Sequence, residues 1–295
     1  MNNPGKIRTA SNSPSQYSGG ITIKSPQELE AMAKAGAIVG STLTLLKQSV
    51  EPGMTTKDLD QIAYKNITGS GAKPTFMGYQ GFPASICASV NEEVVHGIPS
   101  KRPLKAGDIV SLDVGVLLDG FYGDSALTVP VGEISVAAAK LLSVTEQSLE
   151  RAISAVRAGA RVSDLGHAVQ NYVEPNGYSV VREFVGHGIG TKLHEEPQIP
   201  NYGQPGQGPR LAEGMVLAIE PMVNVGSATV KILKDGWTAV TSDGNLSAHF
   251  EHTVAVTAEG AEVLTRRSSE SNHDGDNLSV TTTQHASMST VLPES

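Results

Sequence analysis

Cysteine occurs once in the 295 residues, at Cys87, which excludes an intrachain disulfide and a cysteine-based zinc finger and makes a reducing cytoplasm the simplest home. Positive charge is also short. Lys and Arg number 22 against 30 Asp and Glu, for a formal net charge of -8, which argues against nucleic acid or an anionic membrane as the main partner. No apolar run approaches the length that spans a bilayer, and the first twenty residues lack the hydrophobic stretch of a secretory signal. Those twenty are rich in Ser and Asn, with Lys6 and Arg8 and no acid. They loosely resemble an organelle transit peptide but read better as a disordered tail (1–20). Residues 267–295 are Ser, Thr, Asn and Asp with almost no large apolar side chain, too little to offset ordering entropy, and read as a second tail. The folded unit expected is 21–266, long enough to bury a sizeable core.

Within that unit a pattern repeats. Ser25-Pro26-Gln27-Glu28 supplies a capping serine, a first-turn proline and a glutamate three residues after the cap, and apolar residues then recur at helical spacing to about Leu46. Glu51-Pro52-Gly53 ends that helix, and Thr55 to about Ile67 reads as a second, stopped by Gly69 and Gly71. The same order returns with a long helix over Ser135 to Val156 and a second ending near Tyr172. Gly53, Asp58 and Leu59 find counterparts at the same offsets in Gly159, Asp164 and Leu165. Strand-like runs follow each pair: 85–95, 108–117 and 121–131, then 179–185, 215–223, 237–241 and 248–256. Helix pair then strands, twice, predicts an α+β domain of two related halves, about 25–130 and 131–256, with helices covering a largely antiparallel sheet.

Chemistry concentrates in the segment from Phe184 to Pro197. It holds His187, His194, Glu195 and Glu196, with Gly186, Gly188 and Gly190 at alternate positions clearing side chains from the backbone so that a bound peptide can approach closely. Taken alone it fits a metal site using one or both histidines, or a glycine-rich strand followed by solvated charges. A phosphate-cradling loop fits poorly, because no Lys-Ser/Thr follows.

The strand patterns add a second anomaly. Asp119-Gly120 between two such runs is a strong hairpin signal, and as a two-residue turn it sets Asp124 opposite Gly115, with Asp113 two residues along on the same face. Aspartate is poor in strands, and Asp113 stands inside an apolar run where an unpaired charge is costly. Glu220 interrupts another apolar strand just before Pro221, and Glu251 another between His249 and His252. Each alone is compatible with a solvated edge; with His187 they favour one shared site. Four carboxylates and one imidazole form a hard, oxygen-rich pocket that two divalent ions about 3.5 to 4 Å apart would neutralise. Such a pair activates water and polarises a carbonyl, which points to hydrolysis of an amide or ester.

The order Asp113, Asp124, His187, Glu220, Glu251 resembles the pita-bread metallohydrolases, and in detail the type I methionine aminopeptidases. The resemblance runs from about Ser25 to Thr265. It is most specific in the stretch from Gly81 to Pro99 (GFPASICASVNEEVVHGIP), in Gly186-His187-Gly188-Ile189-Gly190, in His194-Glu195-Glu196-Pro197 and in Glu251-His252-Thr253. It implies a fold of two pseudo-symmetric halves with helices over a curved sheet. It implies removal of the N-terminal methionine from nascent polypeptides with a small second residue, using a dinuclear divalent centre (Mn, Fe(II), Co or Zn) and a bridging water. Asp124 and Glu251 would bridge the ions, His187 and Glu220 complete one shell, and Asp113 complete the other. Glu220 would also shuttle a proton, His194 would meet the substrate carbonyl, and His96 the scissile amide.

Tyr79, Phe82, Cys87 and Trp237, with Phe76 nearby, would line the methionine pocket; plain core packing is the alternative reading, stronger for Cys87 than for Trp237. Phe76 and Leu193 depart from the family's usual cysteine and phenylalanine. Asn91, Glu93 and Ser247 carry a monovalent-cation site (Na or K) in relatives. By strand parity His249 rather than His252 faces the ions, in an outer or structural role, and His167, His273 and His285 are expected in solvent. A monomer with passing ribosome contact and no direct nucleic-acid or membrane role is the expected setting. The rivals are another peptidase of the fold, such as a prolidase, and a catalytically silent binding module; the intact ligand set argues against the latter.

Overall fold

The computed structural model describes residues 15–16 and 20–267 of the 295. Four long helices, α1 (Pro26–Ser49), α2 (Thr56–Gly69), α3 (Val136–Ala155) and α4 (Val162–Val173), pack on a set of sheets in which every pairing is antiparallel. The α1 start follows the capping expectation. Ser25 Oγ accepts from Glu28 N–H at 3.3 Å, and Glu28 Oε2 accepts from Ser25 N–H at 2.7 Å, contributing on the order of 1 kcal/mol.

By length and composition α1 is apolar enough to cross a membrane, contrary to the expectation that no such run exists. Here Met32, Ala35, Val39, Leu43 and Leu46 are buried where the helix lies on the Ile109–Leu118 and Phe121–Pro130 strands. Each large apolar side chain so covered contributes roughly 1.5 to 3 kcal/mol. Gly123 lets helix and hairpin approach, since a Cβ there would press on the Gly36 backbone, while a Cβ on Gly36 would collide with the Leu264 carbonyl.

The duplication is visible in hydrogen bonds. Gly53 N–H donates to Leu104 O at 2.7 Å and Gly159 N–H to Leu211 O at 2.8 Å; both glycines have positive φ (93° and 87°). Thr55 bridges to Pro103 as Arg161 does to Arg210. Asp58 accepts from Thr55 N–H as Asp164 does from Arg161 N–H.

The Asp119-Gly120 turn has the positive φ values its hairpin type requires (49° and 88°), and the register pairs Gly115 with Asp124 and Asp113 with Ala126. In the second half, Val216–Ile219 pairs with His252–Val256, and Met222–Asn224 with Ser247–His249. Ile219 opposes His252 and Met222 opposes His249, so one continuous register sets Glu220 across from Glu251 at the break between the two pairs. Pro221, lacking an N–H, lies at that break.

Short strands that periodicity did not show include Lys73–Pro74, Gly186–Gly188, Glu195–Ile199, Val230–Ile232 and Ala261–Val263. They are too brief to display an alternation. Within the stretch expected as a leading tail, Ser15–Gln16 pairs antiparallel with Thr22–Ile23. Residues 1–14, 17–19 and 268–295, with His273 and His285, lie outside the described residues, whereas Arg267, expected in the trailing tail, is buried beside His252.

Candidate metal centre at the seam between the halves

The two hairpins meet along one line. Thr253 Oγ1 donates to Asp124 O (2.7 Å) and accepts from Asp124 N–H (3.0 Å). Glu251 N–H donates to Ala126 O at 2.9 Å, and Thr128 Oγ1 accepts from His249 N–H and donates to His249 O, each at 2.9 Å. This seam brings the carboxylates of one half against those of the other. His187 arrives from the Gly186–Gly188 strand, which pairs with Val216–Ile219. Ligand-capable atoms of Asp124, His187 and Glu251 lie within 4.8 Å of one another, and Glu220 Oε1 is 3.6 Å from His187 Nε2.

The alternate glycines have a more local reason than close approach of a substrate. A Cβ at Gly186 would collide with the Ala218 carbonyl, and one at Gly188 with the Glu196 carbonyl, both on neighbouring strands. Next to them, Lys24 Nζ forms a buried ion pair with Glu195 Oε2 at 2.8 Å and donates to Thr22 Oγ1, fastening the leading strand to the loop that carries His194. Neither Lys24 nor Thr22 stands out in the sequence.

One cavity of about 200 Å³ gathers every residue singled out as a divalent-ion ligand, catalytic group or pocket wall: Tyr79, Phe82, Cys87, His96, Asp113, Asp124, His187, His194, Glu220, Trp237 and Glu251, with Phe76, Leu193 and Gln80; Asn91, Glu93 and Ser247 lie outside it. Gln80, which sequence reasoning missed, has φ of 48°, and no turn signal beyond its flanking glycines marks it. Phe82 and Trp237 meet edge to face at 5.2 Å, and the His96 ring stands edge-on to Phe184 (5.4 Å) and Trp237 (6.5 Å). Tyr79 Oη is 2.8 Å from His194 Nδ1, a contact that the pocket reading of Tyr79 did not include. His252 faces away from the cavity group: its Nδ1 is 2.9 Å from Thr265 Oγ1 and its Nε2 3.3 Å from the Arg267 guanidinium. His167, expected in solvent, is half-buried with Nδ1 3.2 Å from Gly203 O.

The electrostatics are those of acids crowded in a dry place. Burial pushes the Asp113 carboxyl up to about 7 and Glu220 to about 8. Burial, then repulsion from the neighbouring carboxylates, pushes Asp124 and Glu251 well above the ordinary range. His187 and His96 are pushed down to about 4, mainly by desolvation, and His194, exposed at the mouth, is lowered by its partial burial.

The donor set fits divalent cations. Asp113 Oδ1, Asp124 Oδ1 and Glu251 Oε1 are buried with no hydrogen-bond partner, each an omission worth about 1 to 3 kcal/mol unless something electropositive faces it. His187 Nδ1–H donates to Gly188 O at 2.9 Å, which fixes the tautomer and leaves the Nε2 lone pair toward the carboxylates.

Residues 30–258 match the metallopeptidase family M24. The chain is 56% identical over 245 residues to a methionine aminopeptidase of Clostridium perfringens, covering 83% of this chain and 98% of that one. It is 57% identical over 246 residues to methionine aminopeptidase 1 of Bacillus subtilis, covering 83% and 99%. Among solved structures, the methionine aminopeptidase of Thermotoga maritima superposes with a TM-score of 0.83 at 48% identity, covering 84% of this chain and all of that one. A prolidase from Pyrococcus furiosus shares the fold alone, with a TM-score of 0.66 at 22% identity over 83% of this chain and 65% of that one. The chain belongs to metallopeptidase family M24 and, within it, to the methionine aminopeptidases.

Proposed function

We propose that the chain hydrolyses the first peptide bond of polypeptides that begin with methionine, and that Asp113, Asp124, His187, Glu220 and Glu251 hold two divalent ions for that reaction. The observation that carries this reading is the set of buried, unpartnered carboxylate oxygens converging beside a histidine whose tautomer is fixed for metal binding. When bound, such a pair of ions supplies an acidified water and Lewis-acid polarisation of the scissile carbonyl.

The remaining roles belong to the side chains. Glu220, whose burial raises its proton affinity, accepts the proton from the attacking water and returns it to the leaving amine. Tyr79 Oη lies 2.8 Å from His194 Nδ1, and with the phenol as donor the imidazole proton sits on Nε2, ready to donate to the carbonyl oxygen as negative charge develops there. His194 does this as a neutral donor, since its pKa is lowered. His96 is also neutral, and its ring, edge-on to Phe184 and Trp237, is directed at the scissile amide. Phe82, Trp237, Tyr79, Cys87, Phe76 and Leu193 form the apolar wall for the methionine side chain, whose polarisable sulfur suits aromatic edges.

The preference for a small second residue, the metal identity (Mn, Fe(II), Co or Zn), the cytoplasmic setting, the monomeric state and a transient ribosome contact belong to the same reading. So does a monovalent cation held by the Asn91, Glu93 and Ser247 region, where Asn91 has φ of 60° and its carbonyl accepts from Ser247 N–H at 2.9 Å.

The test is release of methionine from Met-Ala-Ser by protein loaded in turn with each of the four metals. Release under at least one supports the proposal. No release under any, with cleavage of an X-Pro dipeptide instead, assigns the chain to the prolidase branch of the fold.

A further inference from the structure

Glu220 stands between two imidazoles. On one side His187 Nε2 lies 3.6 Å from Oε1; on the other His249 Nε2 lies 3.6 Å from Oε2. His187 is accounted for by its bond to Gly188 and its place among the ligands. His249 is not. It is only 2% exposed, and its Nε2 has no hydrogen-bond partner, so a polar atom has been taken out of water and aimed at a carboxylate. Its backbone cannot drift, because Thr128 Oγ1 holds both its N–H and its carbonyl.

An imidazole nitrogen in that position either binds an ion directly or donates to the carboxylate beside it. The tight group of ligand atoms consists of Asp124, His187 and Glu251 and does not include His249. Its ion-pair partner at 3.6 Å is Glu220 Oε2, a few tenths of an ångström beyond hydrogen-bond length, and the Asp113 carboxylate and the His96 imidazole also stand near enough to act on it.

We infer that His249 is a positioning residue that donates from Nε2 to Glu220 Oε2, engaging that oxygen and turning Oε1 toward the ion shared with His187. The inference rests on the reading of Glu220 as a metal ligand. It explains why the seam threonine fixes the His249 backbone on both sides, and it makes the imidazole a determinant of metal affinity without being a ligand. Carboxylate ligands are themselves oriented by hydrogen bonds of this kind, and losing one weakens metal binding about 10- to 100-fold.

The test measures Co(II) binding to the metal-free protein by calorimetry and by the visible absorption of the bound ion, comparing wild type with His249→Gln, His249→Asn and His249→Leu. Gln can place an amide donor near Oε2; Asn carries the same donor on a shorter stem; Leu fills the volume with no donor. The expected result is a 10- to 100-fold loss of affinity and an altered absorption band in the Asn and Leu variants, with Gln within about 3-fold of wild type and two ions bound throughout. Should Leu fail to give a cooperative melt, the Gln and Asn pair decides the matter. Wild-type affinity and spectrum in the Asn variant overturn the inference. So does a lost ion in all three variants, which would make His249 a ligand. If wild type releases no methionine, the proposed reaction falls while the metal measurement still judges His249.

Discussion

At the scale of single residues, the site's behaviour follows from which groups are charged. His194 contributes as a neutral donor to a developing oxyanion, so His194→Ala is expected to lower kcat by about 10²- to 10³-fold while KM changes little. Tyr79→Phe, which removes only the hydroxyl that orients His194, is expected to cost about 10-fold. Steady-state kinetics on a methionyl tripeptide measures both, and equal losses from the two variants would contradict the division of labour. The carboxyls carry a pH signature. In the metal-free protein Asp113 and Glu220 have folded pKa values of about 7 and 8, above the roughly 4 of an unfolded chain. The folded state therefore keeps protons that the unfolded chain releases, so the associated stability is present below about pH 4 and is lost as pH rises through 7 and 8. The buried histidines, their pKa values lowered, act in the opposite sense up to about pH 6.5, so the melting temperature of the metal-free protein is expected to fall between about pH 6.5 and pH 8, and the increase on adding Mn(II) to grow over the same interval, because the ions compete with protons for the same oxygens. A flat profile would show that the four acids do not form the crowded cluster described.

At the scale of elements, the strands around His187 are held by close backbone contact. A Cβ at Gly188 meets the Glu196 carbonyl, so Gly188→Ala is expected to destabilise the fold by about 1 to 3 kcal/mol in urea denaturation, whereas Gly71→Ser, at a site where no atom lies near, costs only the strain of its positive φ. These elements also show what a sequence discloses. The Asp119-Gly120 turn was enough to fix the register of Asp113 and Asp124, because a two-residue turn leaves no freedom of pairing. Glu220 and Glu251 were legible as charges inside apolar strands, and the helices through their caps. The Gly186–Gly188 strand was one of two readings left open, and the Glu195–Ile199 strand was not legible, since a few residues carry no period. Their glycines suggested a ligand-facing backbone, yet the nearest obstacles are carbonyls of the chain itself. The Thr128 and Thr253 seam, the Lys24 to Glu195 pair and the contact between His249 and Glu220 were equally hidden, because each joins residues far apart in sequence.

At the scale of the molecule, a duplicated unit explains why one site exists rather than two. Each half supplies an antiparallel strand pair with two acids, Asp113 and Asp124 from one and Glu220 and Glu251 from the other, and the halves join along the hydrogen bonds between Asp124 and Thr253 and from Glu251 N–H to the Ala126 carbonyl. Neither half alone would gather enough negative charge to hold a pair of divalent ions, and the whole would carry a costly cluster of buried acids without them. The most direct measurement of that claim is the number of Co(II) or Mn(II) ions bound per chain by equilibrium dialysis of the metal-free protein, in wild type and in Asp124→Asn. Two ions per chain are expected in wild type and fewer in the variant; one or none in wild type, or an unchanged count in Asp124→Asn, would contradict it.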